Sequence, residues 1–187
     1  MIIAVVGSGG KTTYIEEQAN AYTAQGKRVL VTTTTHMYVK QDTLFTNDAD
    51  EICACLQKTG YCMAGQRAGQ GKICGLSPDV LARAAVCADV VLVEADGSKR
   101  KPVKFPAAYE PVIPSGTDVI VVVMGFFAVG RTIREVCHRP ELVCACLGTD
   151  EAHCLTDADL EKLVEEGYRK PLSKQFPETK IILKKSL

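Results

Sequence analysis

Ile2–Val6 is an unbroken apolar run rich in β-branched residues, and three further runs of the same kind follow. They are Arg28–Thr34 (RVLVTTT), Asp89–Glu94 (DVVLVE) and Thr117–Met124 (TDVIVVVM). Continuous apolar character, in place of strict alternation, marks strands buried on both faces. Between the runs the pattern turns helical. Lys11–Gln25 reads as a helix closed by Gly26. Asp48–Thr59 reads as a second, and Ser77-Pro78 opens a third that runs to about Cys87, with serine as cap and proline at the first helical position. Helices over Pro140–Leu147 and Asp157–Tyr168 follow, the last with Thr156 and Asp159 in capping-box spacing. Short strands over Tyr61–Ala64 and Lys72–Cys74 flank a glycine-rich turn, and Lys180–Leu183 is a final apolar strand. Asp96–Ser115 is a loop rich in proline and lysine. Strands alternating with helices predict an α/β fold, with a parallel sheet and helices on both faces.

The first strand runs into GSGGKTT, Gly7–Thr13. On a strand-to-helix turn, successive backbone N–H groups and a helix N-terminus form an anion site. Glycines let the backbone curl around a phosphate without Cβ clashes. Gly7, Ser8, Gly9 and Gly10 would wrap the phosphates. Lys11 would meet the outer ones, and Thr12 or Thr13 would offer a hydroxyl to Mg²⁺. The general P-loop spacing would need glycine where Val5 stands, so this is a shorter loop. The expected fold class is therefore a P-loop NTPase-like parallel sheet, as one nucleotide-binding domain over residues 1–187.

Two more stretches belong beside it. VVLVEADGS puts Glu94 and Asp96 at the carboxyl end of a buried strand, where parallel-sheet proteins bind ligands. Carboxylates there hold Mg²⁺ directly or through water. TTTTHMY, Thr32–Tyr38, continues a strand and then carries Thr34, Thr35 and His36 beyond its end. His36 either orients a water or binds a second metal, or it is a surface histidine with no such role. Lys11, Asp96 and His36 are the candidate catalytic residues, and Thr12, Glu94 and Asp96 the candidate metal ligands.

Charge narrows the partners. Lys+Arg and Asp+Glu each number 22, so no global field favours nucleic acid or an anionic membrane. No apolar run approaches the roughly 20 residues of a membrane span. The start lacks the basic region of a signal peptide, and the expected location is the cytoplasm. Nine cysteines, an odd number, suit a reduced setting. Cys53/Cys55 and Cys144/Cys146 are spaced by two, which on a helix points them about 200° apart and suits shared metal binding poorly. They read as small packed hydrophobes, with a metal or redox role as the alternative. Locally, Ser98–Lys104 (SKRKPVK) is basic. It is either a solvated loop or a site for an anionic second substrate, and Arg139 of HRPE is a second such candidate.

GSGGKTT, TTTTHM, VEADGSKRKPVK, EPVIP and HRPE occur in this order, over most of the chain. Together they resemble the YqeC-type accessory proteins of selenium-dependent hydroxylases. The resemblance implies a part in maturing molybdenum hydroxylases, with the hydroxylase or its cofactor-maturation machinery as partner. The loop and the glutamate strand also resemble Mur-type amide ligases, which implies phosphate and Mg²⁺ handling by Lys11 and Thr12 and a metal-binding Glu94. No N-K-x-D base-reading motif accompanies the late strand KIILKKSL. Either the C-terminus is shortened or the base is read elsewhere, and ATP and GTP both stay open. Three functions follow: a Mg²⁺-dependent NTPase or transferase, a ligase of Mur-like chemistry, or a nucleotide-gated chaperone with little turnover.

Overall fold

The computed structural model describes residues 1–187. In chain order it holds β1 (Ile2–Gly7), α1 (Lys11–Ala24), β2 (Val29–Thr33), β3 (His36–Tyr38), β4 (Thr43–Phe45), α2 (Ala49–Thr59), β5 (Tyr61–Arg67), β6 (Lys72–Cys74), α3 (Pro78–Cys87) and β7 (Val90–Glu94). Then come β8 (Val103–Lys104), β9 (Val119–Gly125), α4 (Ile133–Val136), β10 (Cys137–His138), α5 (Pro140–Leu147), α6 (Asp157–Val164), α7 (Lys170–Gln175) and β11 (Lys180–Ser186). The fold is α/β with a parallel-dominated sheet. The chain forms two compact units. The first holds Met1–Val5, Thr12–Ala95 and Val112–Asp118; the second holds Val6–Lys11, Asp96–Pro111 and Val119–Leu187.

In the first unit β7 pairs in parallel with both β1 and β2, and β2 pairs in parallel with β5. β4 joins β5 in parallel, while β6 and β3 extend the edge antiparallel. Leu30, Val91 and Val93 pack beneath α2 and α3 with Ile52, Leu56, Val80 and Leu81. Alternation along a strand then sends Val31 and Leu92 to the opposite face, where α1 buries Ile15 and Ala19. Helices thus cover both faces. α2 is capped at both ends: Asp48 accepts from Asp50 N–H, and Gly60 closes it with φ +73°. Cys53 and Cys87 form a disulfide between α2 and α3, Cα atoms 5.4 Å apart. This corrects the expectation of nine reduced cysteines; seven are free. The cause is that α2 and α3 pack on one sheet face, a pairing between distant residues that spacing alone does not reveal.

In the second unit β9 and β11 pair in parallel over Val119–Gly125 and Lys180–Ser186. β8 and β10 form a small parallel pair, Val103 opposite Cys137 and Lys104 opposite His138. The expected helix Asp157–Tyr168 has its capping box of Thr156 and Asp159, but it does not stop at Tyr168. A π-helical turn over Glu165–Arg169 leads into α7. Pro171 gives a reason. It has no N–H for the carbonyl four residues back, and its ring crowds that carbonyl, so the helix widens there. No helix is long and apolar enough to cross a membrane.

Candidate functional site

β1 ends at Gly7 and α1 starts at Lys11, so Ser8–Gly10 make the turn between them. Gly7 has φ +88°, and a Cβ there would lie 2.1 Å from the Val123 carbonyl oxygen. Gly9 has φ +73°, and a Cβ would strike the Pro102 carbonyl oxygen at 2.5 Å. These two positions require glycine. Ser8 is buried and gives its N–H to the Val123 carbonyl at 2.8 Å. Lys11 is buried too, and its Nζ donates to the Gly7 carbonyl at 2.8 Å. The ammonium therefore closes across the same turn whose amides would meet a phosphate.

Thr12 Oγ1 donates to Glu94 Oε2 at 3.3 Å. Glu94 shares the Leu92 face of β7, which is why it meets α1 and not α2 or α3. Thr13 is exposed one residue further along the helix. The threonine run is bonded within the protein. Thr33 Oγ1 and Thr34 N–H both donate to the Glu94 carbonyl, at 2.7 and 3.0 Å, and Thr34 Oγ1 donates to Val112 at 2.8 Å. These bonds fasten the strand end that carries Glu94. Thr32 Oγ1 is buried without a hydrogen-bond partner. His36 stands exposed at the start of β3, opposite Cys74.

No group of three or more His, Cys, Asp or Glu side chains forms a metal cage. Magnesium does not ask for one. It keeps several waters and takes one or two carboxylates together with phosphate oxygens. A hydroxyl and a carboxylate, Thr12 and Glu94, fit that requirement.

Asp96 stands differently. It is fully buried, and its oxygens accept from Gly7 N–H at 3.1 Å, from Tyr168 OH at 2.9 Å and from the Lys104 ammonium. Protein donors thus occupy the carboxylate that the sequence reading offers to metal and catalysis. Lys104, expected in an exposed basic loop, is fully buried and also donates to Glu110 at 2.8 Å and to the Gly97 carbonyl at 2.7 Å. Arg139 reaches Glu110 at 2.5 and 3.2 Å and Tyr109 OH at 2.9 Å. Burial pushes the Glu110 pKa up, but Arg139 and Lys104 outweigh it and hold the carboxyl at about 2. Burial and then the Asp96 charge push the Tyr168 phenol well above its ordinary value, so it stays a donor. Tyr168 and Glu110 were missed in the sequence. Only EPVIP and HRPE hinted at Glu110 and Arg139, and nothing hinted at Tyr168.

The YqeC protein family model matches residues 3–141. The chain belongs to the YqeC family. The protein described as "Uncharacterized protein YqeC" of Escherichia coli (strain K12) is 35% identical over 172 residues, which is 87% of this chain and 67% of that protein. Among solved structures, the signal recognition particle receptor FtsY from Elizabethkingia anophelis has a TM-score of 0.36 at 20% identity, over 66% of this chain and 40% of that one. That likeness is too slight to bear on function. The YqeC match takes in Gly7–Thr13, Glu94–Lys104 and His138–Glu141, and leaves Tyr168 outside it.

Proposed function

We propose that this YqeC-family chain binds a nucleoside triphosphate, ATP or GTP, with Mg²⁺ at Gly7–Thr13 and hydrolyses it in the maturation of a selenium-dependent molybdenum hydroxylase. The observation that supports it most is the Lys11 ammonium closed on the Gly7 carbonyl, in a turn that admits only glycine at Gly7 and Gly9. A phosphate would take over that ammonium and the turn's amides. Thr12 and Glu94 would hold the cation, which supplies charge neutralisation on the transferring phosphoryl group. Asp96 supports the loop through Gly7 N–H and is not used as a metal ligand in this reading. His36 has no contact tying it to Thr12 or Glu94 and takes no part. The hydroxylase partner comes from the family resemblance, and the cytoplasmic setting from the sequence, which lacks a signal-peptide pattern and a membrane-length apolar run.

A second reading, transfer to an organic acceptor as in a ligase, draws on one observation. A cavity of about 410 Å³ opens along α1, from Thr12 past Ile15 and Ala19 to Val31, Met37 and Met63. It is large enough for a small molecule.

Titration calorimetry with ATP and GTP in Mg²⁺ tests the proposal. Wild type should bind at least one. Lys11→Ala should weaken it by about tenfold to a hundredfold, the worth of a charge-assisted hydrogen bond. Binding of neither nucleotide by wild type, or unchanged affinity in the variant, refutes it. Phosphate release stimulated by an apo-hydroxylase would support maturation, and stimulation by a small carboxylate would support the ligase.

A further inference from the structure

Four residues other than glycine take positive φ in this chain: Gln70, Lys99, Arg100 and Arg139. Two of them are consecutive. Lys101 N–H donates to the Ser98 carbonyl at 2.9 Å, closing a tight turn with Lys99 and Arg100 at its centre, φ +48° and +62°. Positive φ at both central positions is the preference of Asn-Gly or Gly-Gly, because a Cβ crowds the backbone there. A glycine stands nearby but not in the strained positions: Gly97 lacks positive φ, and a Cβ on it would meet nothing. The backbone therefore gives no reason for lysine and arginine at the tip. Their side chains must supply it.

One end of the turn is bonded to the glycine loop and the other lies against it. Before it, Asp96 accepts the Gly7 N–H at 3.1 Å. After it, the Pro102 carbonyl accepts from Gly125 N–H at 3.2 Å and lies against Gly9. Lys99 is three residues from Asp96 and Arg100 two from Pro102, so their Cα atoms lie within about 11 Å of those anchors. The other two basic residues of the segment are turned inward. Lys101 Nζ donates to the Glu135 carbonyl at 2.6 Å, and Lys104 is buried on Asp96 and Glu110. Lys99 and Arg100 are exposed. At nearby His138, burial first and then the charges of Arg139, Lys104 and Lys99 lower the pKa, with Glu110 opposing them.

We infer that the Lys99–Arg100 turn clamps the terminal phosphate of the nucleoside triphosphate. The inference rests on the nucleotide reading above. It reassigns the exposed part of the basic loop from a second anionic substrate to the nucleotide itself. An arginine supplied from the same chain stabilises the charge of a transferring phosphoryl group, and its planar fork suits phosphate oxygens. Anchors on Gly7 and Gly9 would let the occupied loop set the position of the clamp.

The test replaces the pair by what the backbone prefers, Lys99→Asn with Arg100→Gly, and measures calorimetric affinity for ATP, ADP, GTP and GDP with Mg²⁺ beside the thermal midpoint. The variant should fold and melt a few degrees higher, since the strain is relieved. Its affinity for the triphosphate should fall about tenfold to a hundredfold, the range for lost charge-assisted bonds. Diphosphate affinity should stay within twofold. Equal losses for both, or no loss for either, overturn the clamp while leaving nucleotide binding intact. A lower melting point overturns it by showing that the pair holds the fold. A wild-type chain that binds no nucleotide overturns the underlying reading, and the clamp with it.

Discussion

The α2–α3 layer and the segment Asp96–Pro111 solve the same problem, fixing a chain segment in place, by opposite means. The helices bury Ile52, Leu56, Val80, Leu81 and Ala84, leave their charges outside, and add one disulfide. The segment buries Asp96 and Lys104 completely and sets Glu110 and Arg139 around them. Apolar packing is non-directional and tolerates exchange of similar volumes. Ion pairs out of water contribute little net stability, but they demand position, and losing one partner strands the other. The first solution suits a layer that need only cover a sheet. The second suits a segment that must hold the amide of Gly7 in one place.

The contrast is broken hardest at Lys104. Lys104→Met leaves Asp96 and Glu110 without their shared cation and should cost about 3–5 kcal/mol in denaturant unfolding. A loss below about 1 kcal/mol would show that water reaches the pair and that the two regions are not so different. Next comes the covalent tie. Cys53→Ser opens a loop spanning a separation of 34 residues, and loop-closure entropy puts its cost at about 3–4 kcal/mol. Wild type should shift its urea midpoint by a similar amount on adding reductant. If the midpoint does not move, apolar packing alone holds the layer.

The smallest effect sharpens the comparison by pH. Glu110 has a folded pKa of about 2 against an ordinary 4.5. A carboxylate depressed in the folded state contributes stability that is present above its unfolded pKa and is lost as pH falls through the folded one. Stability should therefore decline between about pH 4.5 and 2, and Glu110→Gln should flatten that decline. An unchanged acid profile in the variant would place the sensitivity elsewhere.

Much of the fold was legible. The four apolar runs became β1, β2, β7 and β9 because buried parallel strands need no polar face. α1, α2, α3 and α5 fell where caps and prolines put them. The glycine turn was legible too, since a backbone that must curl can use few other residues. What escaped depends on pairings distant in sequence. β8 and β10 are two residues each and carry no periodicity. The Cys53–Cys87 bond joins two helices whose packing decides the partner. SKRKPVK looks like one basic cluster, yet the fold buries Lys104 and bonds Lys101 to the Glu135 carbonyl, while Lys99 and Arg100 are solvent-exposed. Asp96 looked equivalent to Glu94 on strand spacing, but the chain leaves β7 after Glu94 and Asp96 faces other donors.

The support of the glycine turn also sets an order of assembly. Gly7 waits for Asp96, 89 residues later; Ser8 meets Met124 at a separation of 116; and Asp96 in turn receives Tyr168 after 72 more. Long separations delay closure, because chain entropy is lost before the contacts form. On a ribosome, which releases earlier segments before later ones, Gly7–Thr13 emerges before the Asp96, Met124 and Tyr168 segments that complete its support. A growing chain would therefore complete this glycine turn only once the Tyr168 region has come out and folded back.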